Sequence, residues 1–367
     1  MSSRLPAFVL LVCGLAPGAA HAIDFSVRTL VRDDASVDPA PIVDPVLKNA
    51  WGAAYTPTGA FWVGNNATGT ATIYAVDPAT NAPSKVGLTV AIPGAGSVTG
   101  VARAGVSGSF NGDAFLFVGE DGTIAGWRGA LGTQAEILQS PSDAVYKGAA
   151  VATVGTGTYL YAANFHDGRI DVVKGESGAA DLAGGFTDPT LPAGYAPFNV
   201  AKLGESLYVT YAARNAAGDD ELTGPGLGLV DEFRPDGTLV KRVATGGALN
   251  APWGLAIAPA TFGAFAGSLL VGNFGDGSIA AFDPLSGVLL GQLTTSGGRA
   301  LAIDGLWALL VGNDGTGGSS GALYFTAGPG GETHGRFGVV APVPLPASLP
   351  MLLAGASTLA RVRRRRG

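Results

Sequence analysis

Between residues 23 and 340 the chain repeats one hydrophobic pattern six times. A strand of small apolar residues leads through a turn to a second apolar strand that ends on a polar residue. A glycine turn and a third strand follow. The first-strand landmarks are Gly52-Ala53-Ala54, Gly100-Val101-Ala102, Gly148-Ala149-Ala150, Asn199-Val200-Ala201, Gly254-Leu255-Ala256 and Ala300-Leu301-Ala302, spaced by 48, 48, 51, 55 and 46 residues. The second strands are read at Phe61–Asn65, Phe115–Glu120, Tyr159–Asn164, Leu207–Tyr211, Leu269–Asn273 and Leu309–Asn313. Third strands are centred on Ile73, Ile124, Ile170, Val230, Ile279 and Leu323. A period of forty to fifty residues filled with short strands predicts the blades of a propeller.

The turns fit that register. Asp121-Gly122, Asp167-Gly168 and Asp276-Gly277 fall between second and third strands, where a tight hairpin needs positive φ. The last repeat is short of a full blade. Phe25–Val31 alternates as a strand and belongs to no repeat, so it is expected to complete the last blade and remove the open edge. The fold expected is therefore all-β, a six-bladed β-propeller closed by an N-terminal strand.

The two ends follow a different pattern. Residues 1–22 run from Arg4 through the apolar stretch Ala7–Val12 to Ala20-His21-Ala22, the order of a secretory signal peptide with cleavage after Ala22. Residues 341–367 hold Val343-Pro344-Leu345-Pro346, an apolar span over about 347–360, and a basic end at 361–367 that includes Arg363, Arg364, Arg365 and Arg366. A run from Pro346 to Val362 would reach about 26 Å as a transmembrane helix, just short of a hydrocarbon core of ~30 Å. The arginines would stay on the cytoplasmic side. The order of these parts resembles a PEP-CTERM sorting tail, with Leu345 where the commonest form has an acid. That resemblance implies processing by an exosortase-type peptidase at the membrane, and display at the cell surface or in an exopolysaccharide matrix.

Composition sharpens the picture. The chain has 367 residues with 58 glycines, apolar residues at 47% and charged residues at 14%, which excludes a disordered, charge-rich protein. Setting aside Arg4 and the five C-terminal arginines leaves 16 basic against 28 acidic side chains. An acidic body without a basic stripe argues against a nucleic-acid partner. The single cysteine, Cys13, falls in the leader, so the exported body is expected to form no disulfide.

Thr29–Asp33, Asn49-Ala50-Trp51-Gly52, Gly59–Val63, Asn250–Ala256, Asn273–Gly277 and Asp304–Leu309 together resemble an uncharacterised family of secreted bacterial β-propellers, and more loosely the NHL-type six-bladed propellers. The resemblance implies architecture and export, and no established activity.

Candidate chemistry is sparse. His166 lies beside a hairpin turn and His334 in a separate loop, so no histidine cluster supports a triad or a zinc site, and no catalytic set is named. Asn65, Glu120, Asn164, Asn273 and Asn313 recur at second-strand ends. They either converge as oxygen ligands for Ca²⁺, as in lactonase-type propellers, or each bonds its own turn. Recurrence from repeat to repeat favours the turn. One connection breaks the repeat, the long Arg214–Leu227 loop bearing Asp219, Asp220 and Glu221. Those three acids, with Glu120 and Asn164, are the candidate metal ligands. The expected function is an exported binding or structural propeller whose partners are an exopolysaccharide or another surface protein. The alternative is a Ca-dependent lactonase-like hydrolase or lyase on the same fold.

Overall fold

The computed structural model describes residues 23–36, 39–105, 108–141 and 143–343, and they wind six mainly antiparallel sheets around one axis. The innermost strands are Ala50–Ala54, Val98–Arg103, Tyr146–Val154, Tyr195–Leu203, Pro252–Ile257 and Leu306–Val311. Each lies against the next, and the sixth lies against the first, so the ring is closed. Blades one, two and five carry four strands in sequence order, and blade three carries three. In blade four the short strand Glu221–Leu222 adds to the second strand beside the usual four.

Closure works as the N-terminal alternation predicts. Phe25–Arg32 pairs antiparallel with Arg336–Pro342, the third strand of blade six, from Phe25 opposite Pro342 to Arg32 opposite Arg336. Ile42–Val43 then pairs parallel on its outer side. Strands from the two ends of the chain thus share one sheet, and backbone groups that would form an open edge are hydrogen-bonded.

The sixth repeat corrects the sequence reading. Ala300 belongs to a small hairpin of Thr294–Thr295 with Arg299–Ala300, outside the blade. The innermost strand is Leu306–Val311, so Leu309 to Val311 lie in a first strand and Leu323 to Ala327 form the second. The reason is burial in the linker. Leu293, Leu301 and Ile303 fill the cleft between blades five and six, and their apolar pattern mimics a strand. Asn313 is displaced accordingly. It follows the first strand, on the opposite face of the disc from Asn65, and its amide donates to the carbonyls of Thr56 and Gly59.

Six apolar clusters fill the clefts between successive blades, and a seventh sits on the axis. Among the described residues the only helical turns are three short 3-10 segments, and no helix is long and apolar enough to cross a membrane. The predicted leader with Ala22, and the tail from Pro344 and Pro346 to Arg363, Arg364, Arg365 and Arg366, lie outside the described residues.

Candidate functional site

Every innermost strand carries a register shift at its start: Ala50/Ala53, Val98/Val101, Tyr146/Ala149, Pro197/Asn199, Pro252/Gly254 and Leu306/Leu309. A bulge re-aims the side chain it contains. The first residues inside the six bulges are Trp51, Thr99, Lys147, Phe198, Trp253 and Trp307, one per blade. The four aromatic ones meet across the axis. Trp51 stacks on Trp307 at 3.7 Å, Phe274 stacks on its other side at 4.1 Å, and Phe198 and Trp253 approach it edge-on at 5.9 and 6.0 Å. Hydrogen bonds pin the plug. The Trp253 indole N–H donates to the Lys147 carbonyl at 2.9 Å, and the Trp307 indole N–H donates to Asn49 Oδ1 at 3.0 Å.

The plug divides the channel. Below it, toward the face of the first-to-second-strand turns, opens a funnel of about 920 Å³. Its walls are the later halves of the innermost strands, with Ala53, Ala54, Ala102, Ala149, Ala201 and Ala308 among them and Trp253 at its inner end. Two polar side chains of the wall are bonded within it. Asn199 donates to the Trp253 carbonyl at 2.8 Å and accepts from Val200 N–H, and the Tyr55 hydroxyl donates to the Val311 carbonyl. Arg103, Lys202 and Glu205 bring charge to the lining.

Above the plug lies a charged knot. The buried Lys147 ammonium stands 2.7 Å from Glu120 Oε1, 3.2 Å from Asp220 Oδ1 and 3.7 Å from Glu221 Oε2, and 5.3 Å from the Trp51 ring centre. Burial alone would lower the lysine pKa, but Glu120, Glu221 and Asp220 together hold it above its ordinary value. A lysine so held stays charged, unlike the depressed lysines that act as nucleophiles. Burial pushes the Glu221 carboxyl up to about 8, Lys147 opposing and Asp220 adding to the rise. Burial also pushes Glu332 up to about 7, with the charge of Glu120 adding to it. Asn66 donates to Glu120 Oε2 at 3.0 Å, and Asn49 donates to Glu332 Oε2 at 3.3 Å, tying blades one, two, three, four and six together.

The long loop of blade four therefore reaches Lys147, which the sequence reading did not single out. The 48-residue spacing from Trp51 to Thr99 to Lys147 is the signal that marks it. Of the five candidate metal ligands, Glu120, Asp220 and Glu221 come together around the ammonium, in the place a cation would take. Asp219 points elsewhere and accepts from Asn215 Nδ2 at 2.8 Å. Asn164 binds its own turn, donating to Asp167 and Asp171 at 3.1 and 2.8 Å. Asn65 and Asn273 also bond within their turns, to Thr70 and Ser278. Among the described residues no three Asp, Glu, His or Cys are grouped to hold a metal ion. His166 is exposed, 3.2 Å from Asp167. His334 Nδ1 lies 3.0 Å from buried Asp33, a pairing made by closure of the ring.

This architecture defines a six-bladed β-propeller with a plugged channel. No family model matches the chain. It is 31% identical over 290 residues to the uncharacterized protein R648 of Acanthamoeba polyphaga mimivirus, covering 72% of this chain and 69% of that protein. The chain belongs to the family of protein R648. The uncharacterized protein R640 of the same virus is 32% identical over 193 residues, covering 51% of this chain and 36% of that protein. Among solved structures, the Neurospora crassa Pan2 WD40 domain covers 88% of this chain and 97% of its own, with 11% identity and a TM-score of 0.47. Virginiamycin B lyase from Staphylococcus aureus covers 87% of this chain and 100% of its own, with 10% identity and a TM-score of 0.42.

Proposed function

We propose that the protein is a binding propeller that works outside the cytoplasm and takes an elongated apolar group, an alkyl chain or an apolar peptide end, into its funnel. In this reading residues 1–22 direct export, and residues 341–367 hold the chain in the membrane until an exosortase-type peptidase cuts near Val343–Ala347. The observation that carries the binding role is the funnel of about 920 Å³, alanine-walled and sealed at one end by aromatic rings. Concave, mostly apolar sites of this volume suit small ligands.

Trp253 at the inner end supplies the readout. Titration with a dodecyl-chain probe is expected to change tryptophan fluorescence saturably. Filling the funnel with Ala53→Leu and Ala201→Leu, both half-buried in the wall, is expected to weaken binding at least tenfold while the unfolding midpoint stays within a few degrees. Equal affinity in the filled variant, or no saturable change in the parent, overturns the reading.

A further inference from the structure

The third-to-fourth-strand turn of blade five carries an apolar tip that the funnel does not use. Leu285 is 86% exposed and Val288 57%, and Leu289 and Leu290 on the adjoining outer strand are each 46% exposed. Scattered exposed apolar residues are ordinary, but four within six positions form a patch. The tip is rigidly held. Asp283 Oδ1 accepts from the backbone N–H groups of Leu285 and Ser286 at 2.9 and 2.7 Å, and Lys241 of blade four donates to the carbonyls of Pro284 and Leu285. Leu285 is thus presented outward by a braced turn.

Where the described chain begins and ends gives this patch its partner. Val343 N–H donates to the Asp24 carbonyl at 2.8 Å, so both ends leave the ring together. They leave where blade six would have its own third-to-fourth-strand turn, the position next to the Leu285 tip around the rim. Asp24 bridges Thr294, two residues beyond the outer strand Leu289–Gln292, and Ile23 packs beside Gly263 of blade five. Third-to-fourth-strand turns share a face with the funnel mouth, as Pro235 of blade four shows by lining it. The apolar run from Leu349 starts six residues past Val343, a reach of about 20 Å when extended. A bilayer that receives that run therefore lies within about 20 Å of this corner.

We propose that the Leu285–Leu290 edge is a lipid-contact surface, seated at the headgroup boundary so that the propeller rests on the membrane with its funnel mouth toward the bilayer. The inference rests on the reading of the tail as a membrane segment and is independent of what the funnel binds. The test uses the full chain with Cys13→Ser and one new cysteine, Leu285→Cys at the tip or Ala217→Cys on the exposed upper-face loop, each carrying an environment-sensitive dye. The probe is a phosphatidylethanolamine–phosphatidylglycerol vesicle with brominated acyl chains. Flotation with the vesicles reports the tail, and dye quenching reports the patch. Quenching at position 285 is expected to exceed that at 217 at least threefold, and to fall by half or more when Leu289→Ser and Leu290→Ser are added. Flotation with equal quenching at both positions, or quenching at 285 that ignores the two serines, overturns the proposal and leaves the tail reading standing. Absence of flotation overturns both.

Discussion

Gly52, Gly100, Gly148 and Gly254 follow the bulge residues where neighbouring innermost strands come closest. A β-carbon on Gly100 would stand 2.7 Å from Ala149 N and 2.9 Å from Gly148 C, both backbone atoms that cannot swing aside. The same holds at Gly254, 2.6 Å from the Trp307 carbonyl oxygen. Gly100→Ala is expected to cost about 1–3 kcal/mol, the usual range for overpacking, measured as a lowered midpoint in chemical denaturation. Gly87, with nothing nearby, should tolerate alanine and serves as the control. Glu221 yields a pH prediction. Its folded pKa of about 8 lies above the ordinary glutamate value of 4.5, so the fold binds a proton that the unfolded chain releases. The contribution is present in full below pH 4.5 and is lost as pH rises through 8. The loss between pH 4 and 9 amounts to ~3–5 kcal/mol. Glu221→Gln should flatten that fall, and an unchanged slope of stability against pH from 5 to 9 would remove Glu221 as its source.

Among the elements, the closing strand joins the two ends of the ring. Phe25 and Leu30 are fully buried, in the clefts on either side of blade six. Deleting residues 23–32 leaves the ladder of Arg336–Pro342 unpaired and removes both side chains, so thermal unfolding is expected to drop by ten degrees or more and to lose cooperativity. Retention of the parent transition would show that three strands suffice in blade six. This strand was legible from its alternation and its lack of a repeat, and five blades were legible from their spacing. Blade six was not. Gly312-Asn313 repeats the letters of Gly64-Asn65 and Gly272-Asn273, yet it stands at the far end of a first strand, where a one-dimensional pattern carries no face. Trp307 was the better landmark, since it occupies the bulge position that Trp51 and Trp253 hold. The charged knot was half legible: the long acidic loop announced itself by breaking the repeat, while its partner Lys147 lay inside an ordinary-looking strand. Only the ring closing through space sets Glu332 of blade six near Glu120 and Lys147.

As a whole the molecule is six wedges with a packed cleft between each neighbouring pair, so no wedge buries its faces alone. The sheet that closes the circle draws on Phe25–Arg32, near the start of the chain, and on Arg336–Pro342, near the end of the described residues. These strands are made some three hundred residues apart in time. At a synthesis rate of roughly 5–20 residues per second, the first must wait at least ~15 s for its partner. Until then the polypeptide lacks the sheet that covers the apolar flanks of blades five and one. The ring can close only once Arg336–Pro342 has emerged, which ties the moment of folding to the synthesis of that strand.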